Sequence, residues 1–457
     1  MKKISSKYEI DMCNGPLFKK ILIFSLPLML TGILQLLYNA ADIIVVGRYA
    51  GSVSLAAVGS TSSLINLIVN VFVGLSIGTS VVVSQNYGAE RKKDVSETVH
   101  TSIAISIISG VAVGIFGVIM AKPLLSLMGT PDDVLNLAAL YMRIYFAGMP
   151  ATMVYNFGSA ILRAVGDTRR PLYFLSIAGV VNVVLNLFFV IVFNMGVAGV
   201  ALATVIAQCI SVALVIGCLL KAEGSIKLIP KNIKIHKDKL IQIAKIGLPA
   251  GIQGSIFAIS NVLIQSAVNS FGSIVMAGNA AAANIEGFVY TSMNAIYQTS
   301  LTFTGQNMGA KKYRRVNKVF LICTAFVVVV GGALGGLAYF GSKGLLSIYS
   351  VDPKVIEMGM LRMSIICTTY FLCGFMDVLV GSLRGMGKSI LPMLVTILGV
   401  CGIRILWIYT VFAQHRTLTT LYISYPISWM VTAAIHLICY IVVVRKLVGN
   451  TSEVSIN

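Results

Sequence analysis

Twelve long apolar runs dominate the sequence, and they restrict the fold more than any other feature. Their approximate bounds are 21–46, 54–83, 97–121, 134–158, 171–194, 197–220, 242–268, 274–302, 317–340, 354–380, 390–412 and 419–444. Each has about 22–30 residues, enough to cross a bilayer with some tilt. Inside hydrocarbon the backbone must satisfy its own hydrogen bonds, which leaves helices and closed barrels. The runs are continuous rather than alternating every second residue, so a barrel is set aside. The expected fold is an all-α polytopic membrane protein of twelve transmembrane helices in two pseudo-symmetric six-helix bundles. Composition agrees: 57% of residues are hydrophobic and 11% charged, against about a quarter charged in soluble domains.

The net charge of +19 raises the possibility of a nucleic-acid partner, and its distribution argues against one. Of 35 lysines and arginines, 27 fall in the N-terminal tail, the C-terminal end and alternate loops. Five lie on the other side (Arg48, Lys122, Lys343, Lys354, Arg416), and three lie within spans (Arg143, Arg362, Arg404). Such asymmetry follows the positive-inside rule and predicts cytoplasmic basic loops that touch anionic lipid headgroups. An even number of spans then puts both termini in the cytoplasm. The first twenty residues, MKKISSKYEIDMCNGPLFKK, are polar and basic and lack a cleavable-signal pattern.

The two halves resemble each other. QNYGAERKK from Gln85 matches QNMGAKKYR from Gln306, and LLS at Leu124 matches LLS at Leu345, both at a shift of 221. ILRAVGDTRRP from Ile161 matches SLRGMGKSILP from Ser382 at the same shift, and SLP at Ser25–Pro27 matches GLP at Gly247–Pro249 at 222. Six duplicated spans keep the same orientation in both copies, which implies a symmetry axis along the membrane normal. The expected domains are a tail (1–20), an N-lobe (21–220), an inter-lobe cytoplasmic linker (221–241), a C-lobe (242–444) and a second tail (445–457). Pro27 and Pro249 occupy equivalent places in spans 1 and 7 and bend them. The bend is either a fixed feature of the bundle or a hinge.

The first run, ILIFSLPLMLTGILQLLYNAADIIVV, contains one formal charge, Asp42. A carboxylate near the centre of a span costs about 2.5–3.5 kcal/mol on insertion scales. It therefore reads as a functional group facing a polar cavity, with Gln35, Tyr38 and Asn39 on much the same face. The alternative is an acid near the helix end, close to Arg48. Two further acids, Glu286 and Asp377, fall well inside spans 8 and 10. They either bind cations in the C-lobe cavity or form internal salt bridges with Arg362 or Arg404. Asn182 and Asn186 lie four apart in span 5, and Asn156 of span 4 falls opposite Asp377 in the duplication. These asparagines either line an N-lobe cavity with Asp42 or hydrogen-bond between helices.

Several chemistries are missing. SLRGMGKS at Ser382–Ser389 approaches a phosphate-binding loop, but its first glycine is Ser382 and no strand precedes it. There is no HExxH, and the four histidines (His100, His236, His415, His436) are scattered, so no metal site is expected. The eight cysteines lie mostly in apolar runs without CxxC spacing and read as small hydrophobes. No enzyme activity or cofactor is expected, and an ion gradient is the remaining source of energy for transport.

The motifs YNAADIIVVGRYAG (Tyr38–Gly51), LAAVG (Leu55–Gly59), the QNYGA and QNMGA pair, and the LRAVGDTRRP and LRGMGKS pair are similar to those of the multidrug and toxin extrusion (MATE) family. The resemblance covers essentially the whole chain. It implies two six-helix bundles forming a V, open to one side at a time, and export of cationic or amphipathic organic compounds against inward H+ or Na+. It further implies that Asp42 is the ion-coupling acid of an N-lobe pocket that Asn182 and Asn186 complete. In some members the second of these positions is acidic; here it is an amide. Sodium-coupled members carry acids in spans 7 and 10. Here span 7 has none, Asp377 lies about one turn nearer the LRG motif, and Glu286 is the substitute. The expectation is a monomeric antiporter in a bacterial inner membrane, with small organic cations and membrane lipids as partners. A flippase of lipid-linked precursors is the alternative within the superfamily, and an integral membrane enzyme or receptor the alternative outside it.

Overall fold

Every predicted apolar run is helical in the computed structural model, which describes residues 8–454. Residues 1–7 and 455–457 of the two expected tails lie outside the described residues. The first half contains α1 (Leu17–Val45), α2 (Ser52–Gly88), α3 (Lys92–Leu127), α4 (Asp132–Ala147), α5 (Met149–Ala164), α6 (Arg169–Leu187) and α7 (Gly196–Lys221). The second contains α8 (Lys237–Asn269), α9 (Ser273–Gly309), α10 (Tyr313–Phe340), the short α11 (Ser342–Ser347), α12 (Pro353–Gly385), α13 (Ile390–Thr396), α14 (Ile403–Tyr409), the short α15 (Val411–Gln414) and α16 (Leu418–Val454). Most of the helices run beyond the apolar cores at both ends, because helix propensity does not stop where the hydrocarbon does.

Turn geometry repeats with the sequence. Gly51 and Gly272 precede α2 and α9 at φ +86° and +95°, and Glu90 and Lys311 follow those helices at +58° and +55°. Gly166 and Gly387 repeat the pattern at +102° and +83°. These are equivalent positions of the duplication, so each half ends its helices by the same local device.

Two differences from the twelve-span expectation have identifiable causes. Ten helices among the described residues are long and apolar enough to cross a membrane, or eleven if α4 and α5 form one bent span. The α4–α5 bend is 47° and falls at Gly148–Met149–Pro150, where proline removes a backbone donor. The remaining predicted segment, 274–302, the eighth in the chain, lies in α9, which has ample length at 37 residues. It is not among the helices apolar enough to span, since Asn279, Asn284, Glu286 and Asn294 dilute its hydrophobicity.

The chain divides into two compact units, one comprising Met1–Ile10 and Leu30–Ser255, the other Asp11–Met29 and Ile256–Asn457. The divisions therefore fall inside α1 and α8, beyond Pro27 and Pro249, rather than at a hydrophilic linker. In the first unit the GxxxG pairs Gly74/Gly78 of α2 and Gly247/Gly251 of α8 bring two backbones into contact. A Cβ on Gly74 would stand 2.3 Å from the Gly251 nitrogen. The linker itself is packed down: Ile226 and Leu228 are buried against Val95, Val99 and Leu219. The Ile229 N–H donates to His100 Nε2 at 3.0 Å, and Lys239 pairs with Asp94. In the second unit Met12 is fully buried, and Asn307 Nδ2 donates to its carbonyl at 3.2 Å. The chain is thus anchored before α1 begins.

Candidate functional site

Three helices of the first unit each turn one polar face toward a common cavity. From α1 come Gln35, Tyr38, Asn39 and Asp42, spaced as neighbours on a single helix face. From α6 come Leu175, Ala178, Gly179 and Asn182, and from α7 Thr204, Ala207, Gln208 and Ser211. The cavity measures about 70 Å³. A drug-sized ligand needs about 300–1,000 Å³, so the space suits an ion with a few waters.

Asp42 is half-buried and held from one side. Asn186 Nδ2 donates to its Oδ1 and also to Asn182 Oδ1 at 3.3 Å. Asn182 Nδ2 in turn donates to Thr204 Oγ1 at 3.4 Å, and the Thr204 hydroxyl also faces the Asp42 carboxyl. Arg48 makes no ion pair with Asp42 among the described residues. Among the described residues the buried oxygens Asn186 Oδ1 and Gln208 Oε1 have no hydrogen-bond partner. Among the described residues no lysine or arginine lines the cavity. The carboxylate is held by amide and hydroxyl donors, and the polar side chains of Gln35, Asn39, Gln208 and Ser211 line the space beside it, a setting suited to a proton or a hard cation.

Backbone geometry changes beside this cluster. Four residues after Asp42 and two after Asn186, α1 and α6 widen into π turns at Val46–Ala50 and Phe188–Val192. Such turns re-aim side chains and are frequent at functional sites.

Gly179 makes the seat for Tyr38: a Cβ there would lie 1.8 Å from the Tyr38 ring. Gly179→Ala is expected to push that ring into the cavity and to reduce transport without loss of folded protein. Overpacking of this kind costs about 1–3 kcal/mol. Efflux by Gly179→Ala and by Gly179→Ala/Tyr38→Leu, each compared with its Gly179 parent, checks this. The alanine should matter only when Tyr38 is present.

Of the residues predicted for the N-lobe cavity, Gln35, Tyr38, Asn39 and Asn182 line it with Asp42, and Asn186 sits directly behind. Asn156 does not join them; its Nδ2 donates at 2.9 Å to the Thr152 carbonyl of its own helix. Thr204, Gln208 and Ser211 were missed by the sequence reading. Their spacing of four and three residues in an otherwise apolar helix was the available signal.

The two acids assigned to a C-lobe cavity have separate surroundings. Glu286 on α9 takes a bidentate bond from Arg362 on α12, with Nε–Oε1 at 2.9 Å and Nη2–Oε2 at 2.7 Å. Arg362 Nη1 also donates to Asn279 Oδ1 at 2.7 Å. The salt-bridge alternative is therefore the arrangement found for Glu286. Asp377 pairs with neither Arg362 nor Arg404. Its Oδ2 is sealed without a hydrogen-bond partner among the described residues, and its electrostatic neighbours include Tyr290 and Arg384.

Comparison with known proteins follows the same duplication. The sequence model of the MatE family matches twice, over residues 27–188 and 249–410. A curated relative, the probable multidrug resistance protein YoeA of Bacillus subtilis, is 26% identical over 424 residues, covering 91% of each chain. The probable multidrug resistance protein YpnP of the same organism is 27% identical over 380 residues, covering 83% of this chain and 85% of that one. Among solved structures, an outward-facing multidrug resistance MATE family transporter of the MOP superfamily has a TM-score of 0.91 and 22% identity. That match covers 97% of this chain and 99% of the other, and it establishes the fold.

Proposed function

The chain belongs to the MatE family of membrane transporters, and from that premise we propose that it is a secondary antiporter exporting cationic or amphipathic organic compounds in exchange for H+ or Na+. The observation that carries this reading is the Asp42 carboxylate in a polar cavity that no cationic side chain lines among the described residues. Asp42 binds the coupling ion, and Asn182, Asn186 and Thr204 surround it. Substrate is released because ion binding favours a state with lower substrate affinity; equal affinity in both states would move nothing. Inverting a 1:99 population requires a differential of about 5.5 kcal/mol. The multidrug names of YoeA and YpnP support the substrate class. The loop charge asymmetry supports cytoplasmic termini in a bacterial inner membrane. Glu286 is assigned to architecture, because Arg362 already satisfies it.

The test is efflux of fluorescent lipophilic cations from energised cells, with the proton and sodium gradients collapsed separately. Loss with one gradient alone identifies the ion. Absence of gradient-dependent movement for every dye in the panel overturns the antiporter reading.

A further inference from the structure

The LLS repeat takes no part in the Asp42 cavity, yet both copies adopt one exposure pattern. AKPLLSLM at 121–128 closes α3, and SKGLLSIY at 342–349 follows α10, a shift of 221 residues later. Burial agrees position by position: the first and fifth residues are buried, the fourth is half-buried, and the rest are exposed. Both segments lie at the end of their helix opposite the QNYGA or QNMGA turn that precedes it.

In each copy one leucine roots the loop in its own unit. Leu125 is fully buried in a core cluster with Ala138 and Met142 of α4. Leu346 is 1% exposed and packs on Gly359 of α12, where an added Cβ would stand 2.8 Å from it. Two residues further on, Leu127 and Ile348 are 85% and 78% exposed, and Met128, Tyr349 and Val351 are exposed beside them. An apolar tip left open in both copies marks a surface that something covers.

Continuity with the spans says what covers it. α3 and α10 are long and apolar enough to cross a membrane. Ile108, Val111, Ile115 and Ile119 form an exposed row along one face of α3, and Lys122 stands three residues beyond it. Val329, Leu337 and Phe340 are exposed along α10, and Lys343 stands three residues beyond Phe340. Exposed apolar rows on spanning helices face acyl chains, so each lysine falls where its row reaches the headgroups. Neither lysine makes an ion pair among the described residues. Of the five basic residues on the sparsely charged side, Lys122 and Lys343 are the one pair related by the duplication. An ammonium on a long apolar stem at that depth suits a lipid phosphate, and tyrosine is enriched at the same level.

We propose that the two LLS loops are paired interfacial anchors. Leu127 and Met128 in one unit, and Ile348, Tyr349 and Val351 in the other, insert into the headgroup–acyl boundary of the membrane that the protein spans. Lys122 and Lys343 bind its lipid phosphates. Each unit carries its own anchor, whatever ion or substrate the Asp42 cavity handles.

The experiment places Leu127→Trp and Ile348→Trp separately in the full-length protein, reconstituted in vesicles of phosphatidylcholine and phosphatidylglycerol. Fluorescence is read against wild type, so that Trp407 and Trp429 cancel. Lipids brominated near the headgroup should quench the added emission by roughly half or more, as for a side chain about 5–10 Å into the boundary. Lipids brominated near the chain ends should quench it less. Adding Lys122→Glu or Lys343→Glu to the matching variant should reduce the quenching in phosphatidylglycerol vesicles, because a carboxylate repels the anionic surface. Met128→Trp and Tyr349→Trp replace either tryptophan variant that does not fold. An unquenched indole emitting as in water overturns the proposal. So does a blue-shifted indole without quenching, which would place a second copy of the chain over the loop. Quenching that ignores the charge reversals also overturns it.

Discussion

Cells expressing Asp42→Asn are expected to show dye efflux no greater than cells without the transporter, although the variant accumulates normally in the membrane. Asparagine has the same shape and keeps an oxygen to accept from Asn186 Nδ2. The surrounding hydrogen bonds to Asn182 and Thr204 are untouched. What disappears is the charge, and with it the ability to take up a proton or balance a bound cation. The same change also removes the cost of keeping a carboxylate within a span, which is at most about 2.5–3.5 kcal/mol at a span centre and smaller toward its ends. Thermal unfolding of the purified variant should therefore occur at the wild-type temperature or above it. Activity and stability are predicted to move in opposite directions, which a merely structural Asp42 would not produce. Full gradient-driven efflux by a correctly inserted Asp42→Asn would remove this residue from the coupling step.

The legible parts of the fold were those governed by periodicity and repetition. Asn182 and Asn186 are four apart, so any helix brings them to one face, and the repeat shift of 221 placed the turns of both halves. Rotamers and packing were not legible. The shift aligned Asn156 with Asp377, but nothing in the sequence shows that the Asn156 amide turns back to Thr152. Glu286 and Arg362 meet because α9 packs on α12, and composition offers Arg404 as an equally good partner. The lysine-rich linker marks a change of polarity, whereas the compact units separate inside α1 and α8, where the composition does not change. Thr204, Gln208 and Ser211 fell within a helix that is otherwise apolar, and isolated hydroxyls and amides in spans are commonly interhelical bonds. Only the seating of Tyr38 against Gly179 and the orientation of α7 turn that stripe into a cavity wall.

The second large effect is expected at Glu286, on stability rather than transport. Its carboxylate and the Arg362 guanidinium are both buried, and the pair is bidentate. Tyr422 shares the Asn279 oxygen with Arg362 at 3.3 Å, so the pair also organises α16 against α9. Glu286→Gln leaves Arg362 charged, buried and half-satisfied, and breaking one side of such a pair costs about 3–5 kcal/mol. The measurement is thermal unfolding of purified protein, followed by the fraction that stays monodisperse after heating. Arg362→Met should destabilise comparably by stranding the carboxylate. The double replacement Glu286→Leu/Arg362→Met removes both charges and should recover most of the loss, since well-packed apolar residues often replace a buried pair without cost. Efflux per folded molecule should be close to wild type in the double variant, because neither group faces the Asp42 cavity. If Glu286→Gln instead keeps its unfolding temperature and loses gradient dependence, Glu286 carries the coupling ion, and the carboxylate would have to leave Arg362 during the cycle.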